Sequence, residues 1–320
     1  MSEAGSHWGS AHPIFVVGYM HSGTTLLRNI LSLPPEVYGI ETETRVFEKL
    51  PLLVRGSLSG KTSWPQGVVD EMIAMFEAGK DTGAVDQLSQ ACASFLPFLT
   101  SSPPEHREEA EAQILSLFRG MCDHLTRVNS CERWVEKTPT HVFHLSLVFR
   151  HFPDARVVEV VRDPRDIAAS KKTRTLTVGL DRYDIDEIPF KRLEKDFDPV
   201  LDTLSWKSAL VAGKLGTERY GDDRVRRVRY EDLVLDPAGT LPEVCSFLDL
   251  RFTESMLSPS GRIAADTEAP RVGIHADSVG RWRSILTPAE AVVVTWLAQP
   301  AIAELGLPAA AATLGACQRL

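Results

Sequence analysis

The sequence predicts an α/β fold, a three-layer P-loop-like parallel sheet flanked by helices and carrying a helical insertion. Three observations lead there. The apolar, β-branched run Ile14–Val17 ends at Gly18 and passes through a short glycine-bounded loop into a helical pattern, as expected of a strand buried on both faces of a parallel sheet. Later apolar runs, at Trp134–Glu136, Ala155–Val161 and Val225–Tyr230, each stop at polar residues that open a new helix, the alternation that builds parallel α/β layers. Residues 67 to 128 read as helical, with breaks at Pro97 and over 101 to 104.

The first loop decides the kind of ligand. Gly18 and Gly23 have the spacing of a phosphate-binding loop, and Thr24-Thr25 opens a helix through Leu26, Leu27, Ile30 and Leu31. Free N–H groups at a helix start, aided by the helix dipole, hold anions, so Ser22, Gly23, Thr24 and Thr25 form the candidate cradle. A P-loop NTPase places lysine directly after the second glycine to reach the β- and γ-phosphates. Thr24 stands there instead. Kinase or ATPase chemistry is thereby disfavoured, and the spacing is not that of a dinucleotide-binding G-x-G-x-x-G loop.

Further along, Pro34-Pro35 breaks the first helix, and Glu41 and Glu43 set two carboxylates ahead of the apolar residues from Val46. Within the helical insertion, Ile114, Leu115, Leu117, Phe118, Met121, Leu125 and Val128 make one amphipathic face. Lys137 ends one strand and Arg162 another, and Asp163 with Pro164 supplies a helix cap and first residue. Residues 176 to 198 are polar and aromatic without a clear period, which reads as a long loop or substrate lid. Residues 258 to 284 are rich in Gly and Arg, and Thr287–Glu290 has capping-box spacing.

Composition narrows the function. The 320 residues suffice for one large domain, predicted over 13 to 320 after a disordered N-terminus at 1 to 12. The charge of -8 argues against broad nucleic-acid or anionic-membrane binding, so an anionic ligand needs a local basic pocket. No apolar run approaches a membrane span and residues 1 to 12 lack a signal-like core, which predicts a cytoplasmic protein. Five cysteines with no C-x-x-C pair, and histidines with no H-E-x-x-H, predict neither a disulfide framework nor a metal site.

Five segments together resemble the sulfotransferases that use 3′-phosphoadenosine-5′-phosphosulfate (PAPS): residues 15 to 28, Glu136–Pro139, Val161–Asp166 with Ser170, Arg229–Val234, and Val279–Trp282. Glu43-Thr44-Arg45 is similar to the tyrosylprotein sulfotransferase branch. The resemblance implies that the cradle holds the 5′-phosphosulfate and that Lys137 neutralises charge on the bridging oxygen. It implies that Arg162 and Ser170 bind the 3′-phosphate, with Ser278, Gly280 and Arg281 closing over it and Tyr230 or Trp206 near the adenine. No metal is required. For the base that takes the acceptor hydroxyl's proton, Glu43 comes first, Glu41 second and His141 third. Many relatives carry Arg or Lys where this chain has His21, an expected partial substitute for that charge when cationic. The alternatives are a catalytically degenerate nucleotide-binding relative and a P-loop small-molecule kinase.

Overall fold

The computed structural model describes residues 12–78, 82–100, 102–178, 197–259 and 273–307. Its five strands are β1 (Ile14–Gly18), β2 (Val37–Gly39), β3 (Arg133–Lys137), β4 (Arg156–Val161) and β5 (Val225–Arg229). They lie in the order β2-β3-β1-β4-β5, every neighbouring pair parallel. Successive residues of β1 point to opposite faces, and both faces are covered. Phe15 and Val17 join one core with Phe47, Phe118, Trp134 and Phe152, whereas Ile14 and Val16 join the other with Leu27, Val135, Val158 and Leu233. Burial on both sides is why β1 is apolar without alternation. On the first face the rings pack edge to face, Phe15 against Trp134 at 5.3 Å and against Phe152 at 5.3 Å, the geometry favoured by the ring quadrupole.

The helices around the sheet are α1 (Thr24–Leu31), α2 (Val46–Leu58), α3 (Gln66–Ala78), α4 (Thr82–Gln90), α5 (Cys92–Phe95), α6 (Arg107–Val128) and α7 (Leu145–His151). They continue with α8 (Pro164–Val178), α9 (Pro199–Tyr220), α10 (Tyr230–Leu235), α11 (Pro237–Leu248), α12 (Trp282–Ile285), α13 (Pro288–Ala298) and α14 (Ala301–Glu304). The expected helical stretch over 67 to 128 is α3 to α6. In α6 the residues Ile114, Leu115, Leu117, Phe118, Met121 and Leu125 are buried, and Val128 at its end is exposed. Among the described residues no helix is long and apolar enough to cross a membrane. The disordered N-terminus expected at 1 to 12, apart from His12, and most of the lid expected at 176 to 198 lie outside the described residues.

Two expectations about the elements change. β2 was not foreseen: it has three residues and becomes a strand by pairing with Arg133–Val135 at the sheet edge. Trp206 is a core residue of α9, 2% exposed, and packs in the aromatic-rich cluster that also holds Leu210 and Phe152. The caps follow the sequence. Asp163 accepts from the Arg165 N–H at 2.9 Å, and Thr287 with Glu290 forms a reciprocal capping box on α13.

Candidate active site

The phosphate loop, Lys137, Arg162, Ser170 and Tyr230 lie on elements that leave the carboxyl ends of β1, β3, β4 and β5, the edge where open α/β sheets bind ligands, and Glu41 and Glu43 follow β2. At β1 the chain turns through Gly18, His21 and Gly23, each with positive φ (152°, 63° and 93°). Gly23 has no room for a side chain: a Cβ there would lie 2.3 Å from the Tyr230 ring. Gly23 caps α1 without a side-chain hydrogen bond, and the buried Ser22 hydroxyl lacks a protein partner. The first turn of α1 therefore presents backbone donors and hydroxyls suited to an anion.

Beside this loop, Lys137 at the end of β3 is almost wholly buried and its Nζ lies 2.6 Å from Glu43 Oε1. Glu43 keeps 35% of its side chain exposed, and Arg45 stands 3.6 Å from its other oxygen. A buried cation is thus paired with a carboxylate that one face of solvent still reaches. Glu41 is exposed, and its backbone carbonyl accepts from Arg28 at 3.2 Å. Glu43, not Glu41, is the carboxylate brought to Lys137.

A second basic cluster lies at the end of β4. Arg162 donates to the His21 carbonyl and to the Ser278 carbonyl, each at 2.9 Å, and its guanidinium stacks 4.2 Å from the Tyr230 ring centroid. Tyr230 shares a 2.6 Å hydrogen bond with the Ser278 hydroxyl. Ser170, two turns along α8, meets His21 Nδ1 at 3.1 Å. Neither Asp163 nor Asp166 consumes Arg162. Asp163 is held by Arg165 at 2.6 Å, and Asp166 accepts the Gly280 and Trp282 N–H groups at 2.7 and 2.9 Å. That pair of bonds joins the segment carrying Ser278, Gly280 and Arg281 to α8. Arg281 is exposed.

Burial, with the charges of Arg174, Arg162 and Lys171, lowers the pKa of His21 to about 3, which disfavours a positive charge on the imidazole unless an anion offsets those three cations. The cations around it are those three side chains, and Arg174 and Lys171 were not foreseen. His141, the third candidate base, is fully buried, with Nδ1 3.1 Å from Glu136 and Nε2 3.3 Å from Glu48, which argues against its taking a proton from an acceptor.

Glu136, Glu48 and Asp166 were also missed. Glu136 and Asp166 stand in segments singled out in the sequence, but the contacts do not show there: Glu48 faces His141 from another helix, and Asp166 acts through backbone N–H groups more than a hundred residues away.

Comparison with known proteins agrees with this geometry. The profile of the sulfotransferase family matches residues 13–254. The chain belongs to the sulfotransferase family. It is 26% identical over 267 residues to the protein-tyrosine sulfotransferase A of Caenorhabditis elegans, covering 83% of this chain and 57% of that one. It is also 26% identical over 277 residues to the omega-hydroxy-beta-dihydromenaquinone-9 sulfotransferase Stf3 of Mycobacterium bovis, covering 79% and 67%. The chain thus spans about two fifths to three fifths of the length of the tyrosine sulfotransferases it matches. Among solved structures it resembles the sulfotransferase domain of the Synechococcus PCC 7002 olefin synthase. That match has a TM-score of 0.51 and 22% identity, covering 92% of this chain and 95% of the other. It supports the fold.

Proposed function

We propose that this chain moves the sulfuryl group of PAPS to a hydroxyl of a small-molecule, carbohydrate, lipid or peptide acceptor and releases adenosine 3′,5′-bisphosphate. The observation that supports it most is the Lys137–Glu43 pair at 2.6 Å, beside a phosphate loop with Thr24 in the NTPase lysine position. A buried ammonium is suited to a leaving oxygen, and a half-exposed carboxylate to an incoming hydroxyl.

In this reading Ser22, Gly23, Thr24 and Thr25 hold the 5′-phosphosulfate through N–H and hydroxyl donors. Arg162, Ser170 and Ser278 hold the 3′-phosphate, Tyr230 braces Arg162, and Gly280 with Arg281 closes the site. Glu43 accepts the acceptor's proton as the acceptor oxygen bonds to sulfur. Lys137 stabilises the electron pair left on the phosphate oxygen as its bond to sulfur breaks. His21, bonded to Ser170, orients the loop. PAPS is consumed as donor, and sulfuryl transfer needs less neutralisation than γ-phosphoryl transfer, because the moving group carries less charge.

The test is calorimetric titration with adenosine 3′,5′-bisphosphate and with ATP, each with and without Mg²⁺, followed by labelled PAPS with phenolic and alcoholic acceptors. Metal-independent binding of the bisphosphate and a labelled sulfate ester are expected. Preference for ATP with Mg²⁺ would replace this reading with a kinase. Bisphosphate binding without product across the acceptors would indicate a degenerate, nucleotide-holding relative.

A further inference from the structure

His141, Glu136 and Glu48 are buried or partly buried ionisable groups that the transfer reaction does not use. Glu136 is 0% exposed. Its Oε1 accepts from the Thr138 hydroxyl at 2.6 Å, the Thr44 hydroxyl at 2.9 Å and the Thr44 N–H at 3.4 Å. Its Oε2 faces His141 Nδ1, and the other ring nitrogen faces Glu48 on α2, which also binds the Thr140 hydroxyl. Thr138 in turn accepts the Arg45 N–H at 3.3 Å. Arg45 has φ 51°, a left-handed conformation that a residue with a Cβ keeps only when its surroundings hold it.

These contacts have one geometric consequence. Glu136 and Thr138 flank Lys137 in sequence and grip Thr44 and Arg45, the two residues that follow Glu43. Side chains alternate along a strand, so Lys137 turns the opposite way from Glu136 and meets Glu43. The histidine closes the arrangement by tying the carboxylate under β3 to the first turn of α2, whose cap is Arg45. We infer that His141 is a positioning residue which, through Glu136 and Glu48, locks residues 43 to 45 onto the end of β3 and so sets the Glu43–Lys137 contact. The catalytic consequence rests on the roles proposed above for Glu43 and Lys137; the positioning itself does not.

Two readouts separate these parts. The first needs no acceptor: the full-length protein is treated briefly with acetic anhydride and acylation of each lysine is followed by peptide mass spectrometry. In His141→Gln, Lys137 should be acylated about fivefold faster, the size expected when a partly exposed ion pair is loosened. Lys172, partly buried and paired with Glu290 of α13 at 2.6 Å, has no part in the site and should keep its wild-type rate. Glu43→Gln serves as the positive control for a Lys137 without its carboxylate. If both lysines accelerate in His141→Gln, the fold has loosened as a whole and the decision passes to Thr138→Val and Glu136→Gln, which nearly preserve shape. Selective acceleration of Lys137 in those variants sustains the inference. Unchanged Lys137 reactivity in them, or in a folded His141→Gln, overturns it.

The second readout is labelled PAPS with the acceptor found for the wild type. His141→Gln should lose at least about tenfold in transfer rate while binding adenosine 3′,5′-bisphosphate within about twofold of wild type. Equal losses in rate and binding would assign His141 a general structural role and overturn the inference. If the wild type yields no sulfated product, the proposed function fails, and the lysine labelling still decides the positioning.

Discussion

In the proposed transfer Lys137 is the side chain on which the chemistry turns, because it is a cation that is almost wholly buried. A developing oxyanion beside it is stabilised by a charge that needs little reorganisation. Lys137→Ala should therefore reduce single-turnover transfer about 10²- to 10³-fold with bisphosphate affinity nearly unchanged, as measured by labelled PAPS and calorimetry; the reverse pattern would make Lys137 a binding residue. Two histidines also predict how stability depends on pH. Burial by itself would lower the pKa of His141, but the charges and contacts of Glu136 and Glu48 raise it to about 9. A raised histidine pKa gives stability that is complete below the unfolded value near 6.5 and lost as pH rises through 9. His21, held down to about 3, acts in the other direction: its contribution is complete above 6.5 and lost as pH falls toward 3. Thermal unfolding across pH should show stability falling on both sides of about pH 6.5. In a folded His141→Gln the alkaline decline attributable to this group should disappear and the acid decline remain, and an unaltered alkaline limb would refute the assignment.

At the scale of elements, the loop between β1 and α1 is fixed by its contact with the start of α10. A methyl group at Gly23 meets the Tyr230 ring at 2.3 Å in a backbone conformation with φ 93°, and that ring carries Arg162 on its face. Gly23→Ala should cost about 1–3 kcal/mol of stability through backbone strain. Because the displaced ring supports Arg162, it should also weaken bisphosphate binding, and denaturant unfolding with calorimetry on the same variant checks both. This loop was readable in the sequence because glycine spacing, threonines and an apolar helix are all local. Strands β1, β3, β4 and β5 were readable for the same reason, as each is an apolar run that ends in a polar turn. β2 was not, since Val37–Gly39 acquires its structure from pairing with β3. The site divides in the same way: Lys137, Arg162 and Ser170 stand out near strand ends and helix starts, and Glu43 ranks ahead of Glu41 by its motif, whereas its pairing with Lys137 needed the fold. The clamp around His141 draws on β3, α2, the turn at 44 to 45 and a 3-10 helix over Pro139–His144, which meet only when the sheet has formed.

For the molecule as a whole, the parallel strand order directs β1, β3, β4 and β5 to the same edge, so one nucleotide is expected to bridge elements far apart in sequence. The net charge of -8 offers a dianion no general attraction, and in the proposed site the attraction is local, from Lys137, Arg162, Lys171, Arg174 and Arg281. Arg162 is already held by two carbonyls, one in the β1 loop and one at Ser278, while its buried Nε has no partner, so it is oriented before a phosphate arrives and little ordering remains to oppose binding. A ligand spanning this edge stabilises the native state alone, by about 2.7 kcal/mol at a concentration one hundred times its Kd. Thermal shift with adenosine 3′,5′-bisphosphate should thus raise Tm well above the shift given by an equal concentration of adenosine 5′-phosphate, which lacks the 3′ group. In Arg162→Ala the bisphosphate should lose about 10- to 100-fold in affinity, the value of a charge-assisted hydrogen bond, while the monophosphate loses little, so the two shifts converge. Parallel losses for both nucleotides would mean that Arg162 braces the loop through the His21 carbonyl and that the 3′-phosphate is held elsewhere on the same edge.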